Sequence, residues 1–444
     1  MPEYLVLLAQ THESFRKAEL EALAVLENIS VDLSSHDEKS PFLYVTLQDD
    51  DEAKRLIQRS ILARAVYELW GKADSENALH EDVRHRSSSR FEKYKTPSFK
   101  FDFISHRGSR TKSQQRDMFE SFDYLGFDGP IKMRDPDEIF TIIEEYEPAY
   151  HSNTDPPRLS HIFFGRFIGE SQRDVVDKYD LKKRRYIGTT SFDAELALIS
   201  CNIALAGPQK IVYDPFAGTG SFLVAASHFG AMALGSDIDG RQIRGKKARN
   251  ITTNYDQYKL QSFFLDTFVG DFTHNPIRAS FKLDAIVCDP PYGVREGLKV
   301  LGSRDTERYA DKKPTVLENG DLSHLRPDYI PPKKPYHFDA LLDDLLEFAA
   351  RNLVDEGRLC CWMPTANEDY GERTIPKHPE LELISNCVQE FNRWSRRLLT
   401  YVRKVREGDD AGLVSSHREK KVYSQVQFRD KYFSGFSATA NSVV

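Results

Sequence analysis

The sequence is poor in cysteine, with five in 444 residues, at positions 201, 288, 360, 361 and 387. The count is odd and no two stand at the short paired spacing of a zinc site. No disulfide framework and no metal centre is therefore expected, and a reducing compartment is. A surplus of positive charge is also missing. The net charge of −7 excludes a uniformly basic nucleic-acid binder but leaves room for a local basic face. Long apolar runs are absent too. The opening run Tyr4–Ala9 is too short for the apolar part of a secretory signal and lacks a basic flank, and no stretch reaches membrane-spanning length. A cytoplasmic or nuclear protein is expected. What is present is ordinary for a globular chain: 40% hydrophobic and 29% charged residues, at a length that calls for two or three domains.

Three stretches differ in pattern. Residues 1–70 alternate strand-like and helical runs: an apolar strand at Tyr4–Ala9, then Phe15, Leu20, Leu23 and Leu26 at helical spacing, then a strand at Phe42–Leu47. A further helix starts near Asp51 and leads into an apolar run at Ile61–Trp70. Residues 71–185 offer strands at Phe99–Ile104 and His161–Ile168, with a loop at 153–157. Between positions 82 and 116 ten basic residues face three acidic ones, and Phe91, Tyr94, Phe99, Phe101 and Phe103 interleave with them. That mixture suits either a surface for a nucleic-acid backbone and unstacked bases, or a solvated face with its aromatics in the core. Arg107, Arg110, Lys112 and Arg116 are the candidate RNA contacts.

From residue 186 to 444 strand-like runs recur between helical ones, at Lys210–Tyr213, Ala231–Ser236, Ser262–Val269, Lys282–Cys288 and Gly357–Trp362. That rhythm predicts parallel βαβ units. Gly293–Tyr336 interrupts it with a polar, proline-bearing segment, which we expect to fold over a bound base. Basic residues return at Arg393, Arg396, Arg397, Arg403, Lys404 and Arg406, either extending an RNA-facing surface or simply solvated, and the chain turns polar beyond about 407.

The first of these strands ends at Asp214 and turns through Phe216, Gly218 and Gly220 into a helix. Glycines let the backbone approach a ligand at the helix start, and the acid stands where open α/β sheets bind ligands. A dinucleotide fingerprint wants a third glycine where Leu223 stands, and no phosphate-gripping lysine follows. A ligand without phosphate and with a positive sulfonium fits an acid-first turn better. That ligand is S-adenosylmethionine. Asp237, followed by Ile238, ends the next strand and can accept both ribose hydroxyls, although Asp239 and Gly240 also allow a helix cap there. Gly270, Asp271 and Phe272 end the third, an acid for the adenine amine and a ring to pack on the base.

The fourth strand leads into Asp289-Pro290-Pro291-Tyr292. An exocyclic amine on a nucleobase is a poor nucleophile because its lone pair is delocalised into the ring. The Asp289 carboxylate and the Pro290 carbonyl can accept its two hydrogens and turn that pair toward a methyl donor. Two prolines stiffen the turn, and Tyr292 can stack on the base. A base inside a duplex has to be flipped out to reach them. Taken alone, the four residues suit guanine, adenine or cytosine.

With these motifs in place, the region from 186 resembles a Rossmann-like class I methyltransferase domain. The stretch Tyr186–Glu195 is similar to the corresponding part of the tRNA guanine 2-amino methyltransferases that act at position ten. The layout resembles the catalytic subunit of those enzymes: a small ferredoxin-like α/β domain (1–70), an RNA-binding THUMP domain (71–185) and the methyltransferase domain (186–444). The resemblance implies tRNA as substrate, a singly methylated guanosine as product, and a small zinc-ribbon activator as heterodimer partner. Any zinc would belong to that partner. It also implies places for Thr190 and Asp193 in the cofactor pocket. The strand around Phe263, Phe264 and Phe268 is either the docking edge for the partner or an ordinary buried strand. A DNA adenine or cytosine amino methyltransferase and a non-catalytic RNA-binding module are the rival readings.

Overall fold

The computed structural model describes residues 1–147, 158–294, 298–302, 315–326, 329, 331–368, 370–371, 374–406 and 428–433. The loop expected at 153–157, much of the 293–336 segment and the tail from 407 to 427 lie outside the described residues. The chain divides into two compact units, Met1–Arg173 and Asp174–Val444.

In the first unit the opening apolar run forms β1 (Glu3–Leu8), buried over Tyr4–Leu8. Leu20 and Leu23 of α1 (Arg16–Glu27) pack on it with β2 (Phe42–Thr46). Asp49 caps α2 (Asp50–Gln58) by accepting the amides of Asp51 and Glu52, and three acids in the first turn suit the positive end of the helix dipole. β3 (Ala63–Ala73), α3 (Glu76–Ser87), β4 (Phe99–His106), α4 (Lys112–Glu120), β5 (Glu138–Tyr146) and β6 (Leu159–Glu170) follow. Among the described residues one six-stranded sheet runs β2-β1-β3-β6-β5-β4, with only β4 and β5 parallel. The expected break at residue 70 falls inside β3, which pairs with β1 on one side and β6 on the other.

The interleaved aromatics belong to the core of this unit. Tyr94 and Phe99 are buried, and Phe91, Phe101 and Phe103 pack against the cluster of Trp70, Phe122, Phe140 and Phe164. The reading that offered them to unstacked bases is therefore corrected. Every second residue of β4 turns toward the helix-covered face, and burying a ring is worth more than leaving it wet.

The second unit holds α5 (Val175–Tyr179), α6 (Ala194–Ile203), β7 (Ile211–Asp214), α7 (Ser221–His228), β8 (Met232–Asp237), α8 (Gly240–Arg244), α9 (Ile251–Tyr258), β9 (Phe264–Val269) and β10 (Leu283–Cys288). A short hairpin of β11 (Lys299–Leu301) and β12 (Lys333–Pro335) precedes α10 (Phe338–Asn352) and β13 (Leu353–Ala366). β14 (Leu381–Glu390), β15 (Trp394–Arg403) and α11 (Phe428–Phe433) complete it. The seven-stranded sheet among these residues runs β14-β15-β13-β10-β7-β8-β9. β13, β10, β7, β8 and β9 are mutually parallel, and β15 runs antiparallel between β13 and β14. This is the Rossmann-like arrangement expected from the βαβ rhythm. The strand order reverses between β7 and β10, so their carboxyl ends open a crevice. Among the described residues no helix is long and apolar enough to cross a membrane.

Candidate active site

The crevice is lined from three directions by acids at strand ends. Asp214 closes β7 and is buried, its Oδ1 accepting the Phe216 amide at 3.0 Å. Asp237 closes β8. Its Oδ2 accepts the Gly218 amide at 2.9 Å and its Oδ1 the Asp239 amide at 2.7 Å. The helix cap weighed for Asp237 is supplied instead by Asp239, whose side chain accepts the Arg241 amide. Gly218 and Gly220 take φ of 51° and 82°, which places the turn in the left-handed region that glycine favours. A Cβ on Gly218 would meet nothing nearer than the Phe216 carbonyl at 3.9 Å, so the space over the turn is open.

Burial raises the Asp214 carboxyl well above its ordinary range, and the nearby charges of Asp237 and Asp289 add to that rise. Asp237 is also raised, mainly by burial, while the two amides it accepts hold it down. Acids at three strand ends around one crevice favour a positively charged ligand. Each Asp237 oxygen keeps a lone pair for a hydroxyl. This donor set fits S-adenosylmethionine, with its sulfonium, ammonium and ribose diol.

Asp271 and Phe272 have the third expected position. Phe272 is buried, 5.3 Å from the Phe216 ring. Asp271 is buried with its oxygens taken by the Thr273 amide and hydroxyl, the His274 ring and the Leu301 amide at 2.8 Å. The described part of the 293–336 segment is therefore tied to Asp271 through β11. Lys333 of β12 reaches the Ile238 carbonyl at 3.4 Å. Gly270 donates its amide to the Asp237 carbonyl at 3.0 Å. Thr190 is exposed, and Asp193 is exposed and caps α6 by accepting the Leu196 amide at 3.0 Å. The link from this stretch to the glycine turn after β7 runs through Ser191, whose hydroxyl meets Thr219 at 2.7 Å.

Asp289-Pro290-Pro291-Tyr292 leaves β10 beside Asp214. Pro290 is buried, Pro291 exposed and Tyr292 half-buried. The Tyr292 hydroxyl donates to Asp289 Oδ1, and its ring meets Phe338 and Phe428 edge-on at 6.1 and 6.5 Å. Burial pushes the Asp289 carboxyl up to about 6, against the opposing pull of Arg396 and the Tyr292 hydroxyl. Arg396 lies on β15 with Nη1 4.0 Å from Asp289 Oδ2. The sequence grouped it with a basic stretch, because nothing local announces that β15 lies two strands from β10.

The remaining candidates lie in the first unit. Arg110 is held by Glu76 and the fully buried Glu144, a structural pairing. Arg107, Lys112 and Arg116 are exposed, with Arg116 bound to Glu120 one helical turn away. On the second unit β9 is an edge strand among the described residues, where it pairs with β8 alone, and Leu265 and Val269 are exposed on it. This corrects the alternative that it is an ordinary buried strand.

Comparison with known proteins adds two family matches. Residues 2–173 match the family described as the Tmrp11 THUMP N-terminal domain, and residues 182–303 the RMKL-like methyltransferase domain. The chain is 48% identical over 441 residues to the tRNA (guanine(10)-N(2))-methyltransferase of Saccharomyces cerevisiae, covering 98% of this chain and 100% of that one. It is 39% identical to the Schizosaccharomyces pombe protein of the same name, over 98% and 97% of the two chains. To the Homo sapiens protein TRMT11 it is 34% identical, over 97% and 95%.

Proposed function

The chain belongs to the tRNA (guanine(10)-N(2))-methyltransferase family, and on that premise we propose that it methylates the 2-amino group of guanosine 10 in tRNA, using S-adenosylmethionine and working with a small zinc-ribbon activator. The observation that carries the reading is the placing of Asp289 beside Asp214 at the switch point between β7 and β10. An amine-orienting turn there adjoins an acidic crevice suited to a sulfonium.

The bound cofactor supplies an electrophilic methyl group. The chain does the rest. Asp237 would hold the ribose hydroxyls, and the turn at Gly218 would let the backbone close on the ligand. Tyr292 stacks on the flipped guanine and gives up its hydrogen bond to Asp289 as the base enters. Asp289 and the Pro290 carbonyl accept the two amine hydrogens, which turns the nitrogen lone pair out of conjugation. As positive charge develops on that nitrogen, the Asp289 carboxylate stabilises it and is placed to take the proton.

The exposed edge of β9 supports the heterodimer. A strand with one edge unpaired among the described residues, carrying Leu265 and Val269, is a template for another chain's strand. In the first unit, exposed Arg107, Lys112 and Arg116 are the remaining phosphate contacts. The test is methyl transfer from labelled cofactor to tRNA bearing guanine or adenine at position ten, with and without a small zinc-ribbon protein. Label on guanine 10 is expected, increased by the partner. Equal label on adenine 10, or on duplex DNA, would overturn the substrate assignment.

A further inference from the structure

Arg396 is held more tightly than a solvated surface arginine needs to be. On β15 it pairs in register with Gln389 of β14 on one side and Pro364 of β13 on the other. Its Nε and Nη2 both donate to Gln389 Oε1, at 3.1 and 2.6 Å. Its guanidinium lies over the faces of Phe192 and Trp362, at 4.5 and 4.9 Å from the ring centres. Those rings are themselves fixed. Trp362 is fully buried and donates to the Ser200 hydroxyl at 3.1 Å, and Phe192 packs against it at 5.1 Å. Three elements therefore aim the one remaining nitrogen, Nη1, toward Asp289 Oδ2 at 4.0 Å. A planar guanidinium stacked on aromatics and clamped along one edge keeps its orientation in a way a flexible ammonium does not.

We infer that Arg396 is a positioning residue for methyl transfer: it keeps the Asp289 carboxylate ionised and oriented as the acceptor of the target amine. The inference rests on the assignment of Asp289 as that acceptor. The reason lies in the crowding of the crevice. Among the described residues, the groups facing Asp289 are the acid Asp214 at the end of β7, the buried Cys288 thiol, Tyr292 in its own turn, and Arg396. Of these only Arg396 carries positive charge. A protonated Asp289 would present a donor to the amine and lose the interaction with the developing positive charge. The Tyr292 hydroxyl leaves when the base enters, which makes Arg396 the lasting counter-charge through the transfer. Its distance from the carboxylate leaves both Asp289 oxygens free to accept.

The experiment uses the full chain, in complex with the zinc-ribbon protein if turnover requires it. Single-turnover methylation of tRNA is followed from pH 5 to 9, and cofactor affinity is measured separately. For Arg396→Gln the acidic limb of the rate profile is expected to move up by about 1 pH unit or more, and the rate near pH 6 to fall by about tenfold, while cofactor affinity stays within about twofold of wild type. Arg396→Lys, which keeps the charge but not the clamp, is expected to hold the limb close to wild type and lose only part of the rate. Gln389→Leu removes the clamp alone, and a smaller loss in the same direction is expected; it decides the matter if Arg396→Gln does not bind cofactor. A wild-type limb and rate in both Arg396→Gln and Gln389→Leu would overturn the inference. So would an effect confined to the KM for tRNA, which would make Arg396 an RNA contact. Asp289→Asn separates the two levels: if it retains activity, the assignment of Asp289 fails first, and if it is inactive while the other two are unchanged, only the role of Arg396 falls.

Discussion

The Tyr292 hydroxyl donates to Asp289 Oδ1 within the same four-residue turn, so on the proposed mechanism the ring that would stack on the base occupies the acceptor assigned to the target amine. The ring and the hydroxyl then have separable roles. Tyr292→Phe keeps the stacking face and removes the competing donor, so it should retain activity within about tenfold of wild type. Tyr292→Ala removes the face, and base–aromatic stacking of ~1–3 kcal/mol implies a loss of roughly ten- to a hundredfold. Methyl transfer to tRNA under single-turnover conditions measures both. A Phe variant as impaired as the Ala variant would show that the hydroxyl, not the ring, does the work.

Protonation of Asp289 gives a second prediction. Its carboxyl is pushed up to about 6 by burial, and only the ionised form accepts the amine. The rate should therefore fall as pH drops through about 6. The stability effect has the opposite sign. A carboxyl raised in the folded state stabilises the fold below its ordinary unfolded value of 3.8, and that contribution is lost as pH rises through about 6. Asp289→Asn should thus melt higher than wild type at pH 7.5 and the same as wild type near pH 4, in the absence of cofactor. Calorimetric scans at the two pH values check the crossover.

Much of this site could be read locally. Each strand-ending acid announces itself by an apolar run followed by a turn, so the positions of Asp214, Asp237 and Asp289 at the carboxyl ends of β7, β8 and β10 are legible from the local sequence. Asp193 and Asp271 show the limit of that signal: an acid at an element boundary serves equally well as a cap, and both act as one. The aromatic series from Phe91 to Phe103 was ambiguous because its burial depends on β5 and β6, which lie later in the chain. Arg396 was out of reach for the same reason, since strand order across the sheet, not spacing along the chain, puts it beside Asp289.

The edge of β9 carries a third prediction. Leu265 is exposed on β9, which among the described residues pairs with β8 alone. Leu265→Asp adds a charge to a surface that would be desolvated by a partner strand, which should abolish the zinc-ribbon complex in co-purification. Cofactor affinity should stay within about twofold, since the change is on the surface and surface changes rarely exceed ~0.5 kcal/mol. A complex that survives Leu265→Asp would move the docking site elsewhere.

Asp214 separates stability from function. Its carboxylate is buried at 1% exposure, accepts one amide, and shares the crevice with the charges of Asp237 and Asp289, so without a cationic ligand it is held at a cost. Asparagine has the same shape and keeps an oxygen for the Phe216 amide while removing the charge. Asp214→Asn should therefore leave the ligand-free protein at least as stable as wild type near neutral pH, and the difference should vanish in acid, where the wild-type carboxyl is protonated. The cofactor tells the other half. The positive sulfonium loses a counter-charge, whereas S-adenosylhomocysteine carries a neutral sulfur in the same place. The variant should lose affinity for S-adenosylmethionine by about tenfold or more, taking a charged contact as worth ~1.5–3 kcal/mol, and lose less for S-adenosylhomocysteine. Titration calorimetry with both ligands measures the difference. Equal losses for the two would mean that Asp214 serves the ammonium group they share, and no loss for either would remove it from the pocket.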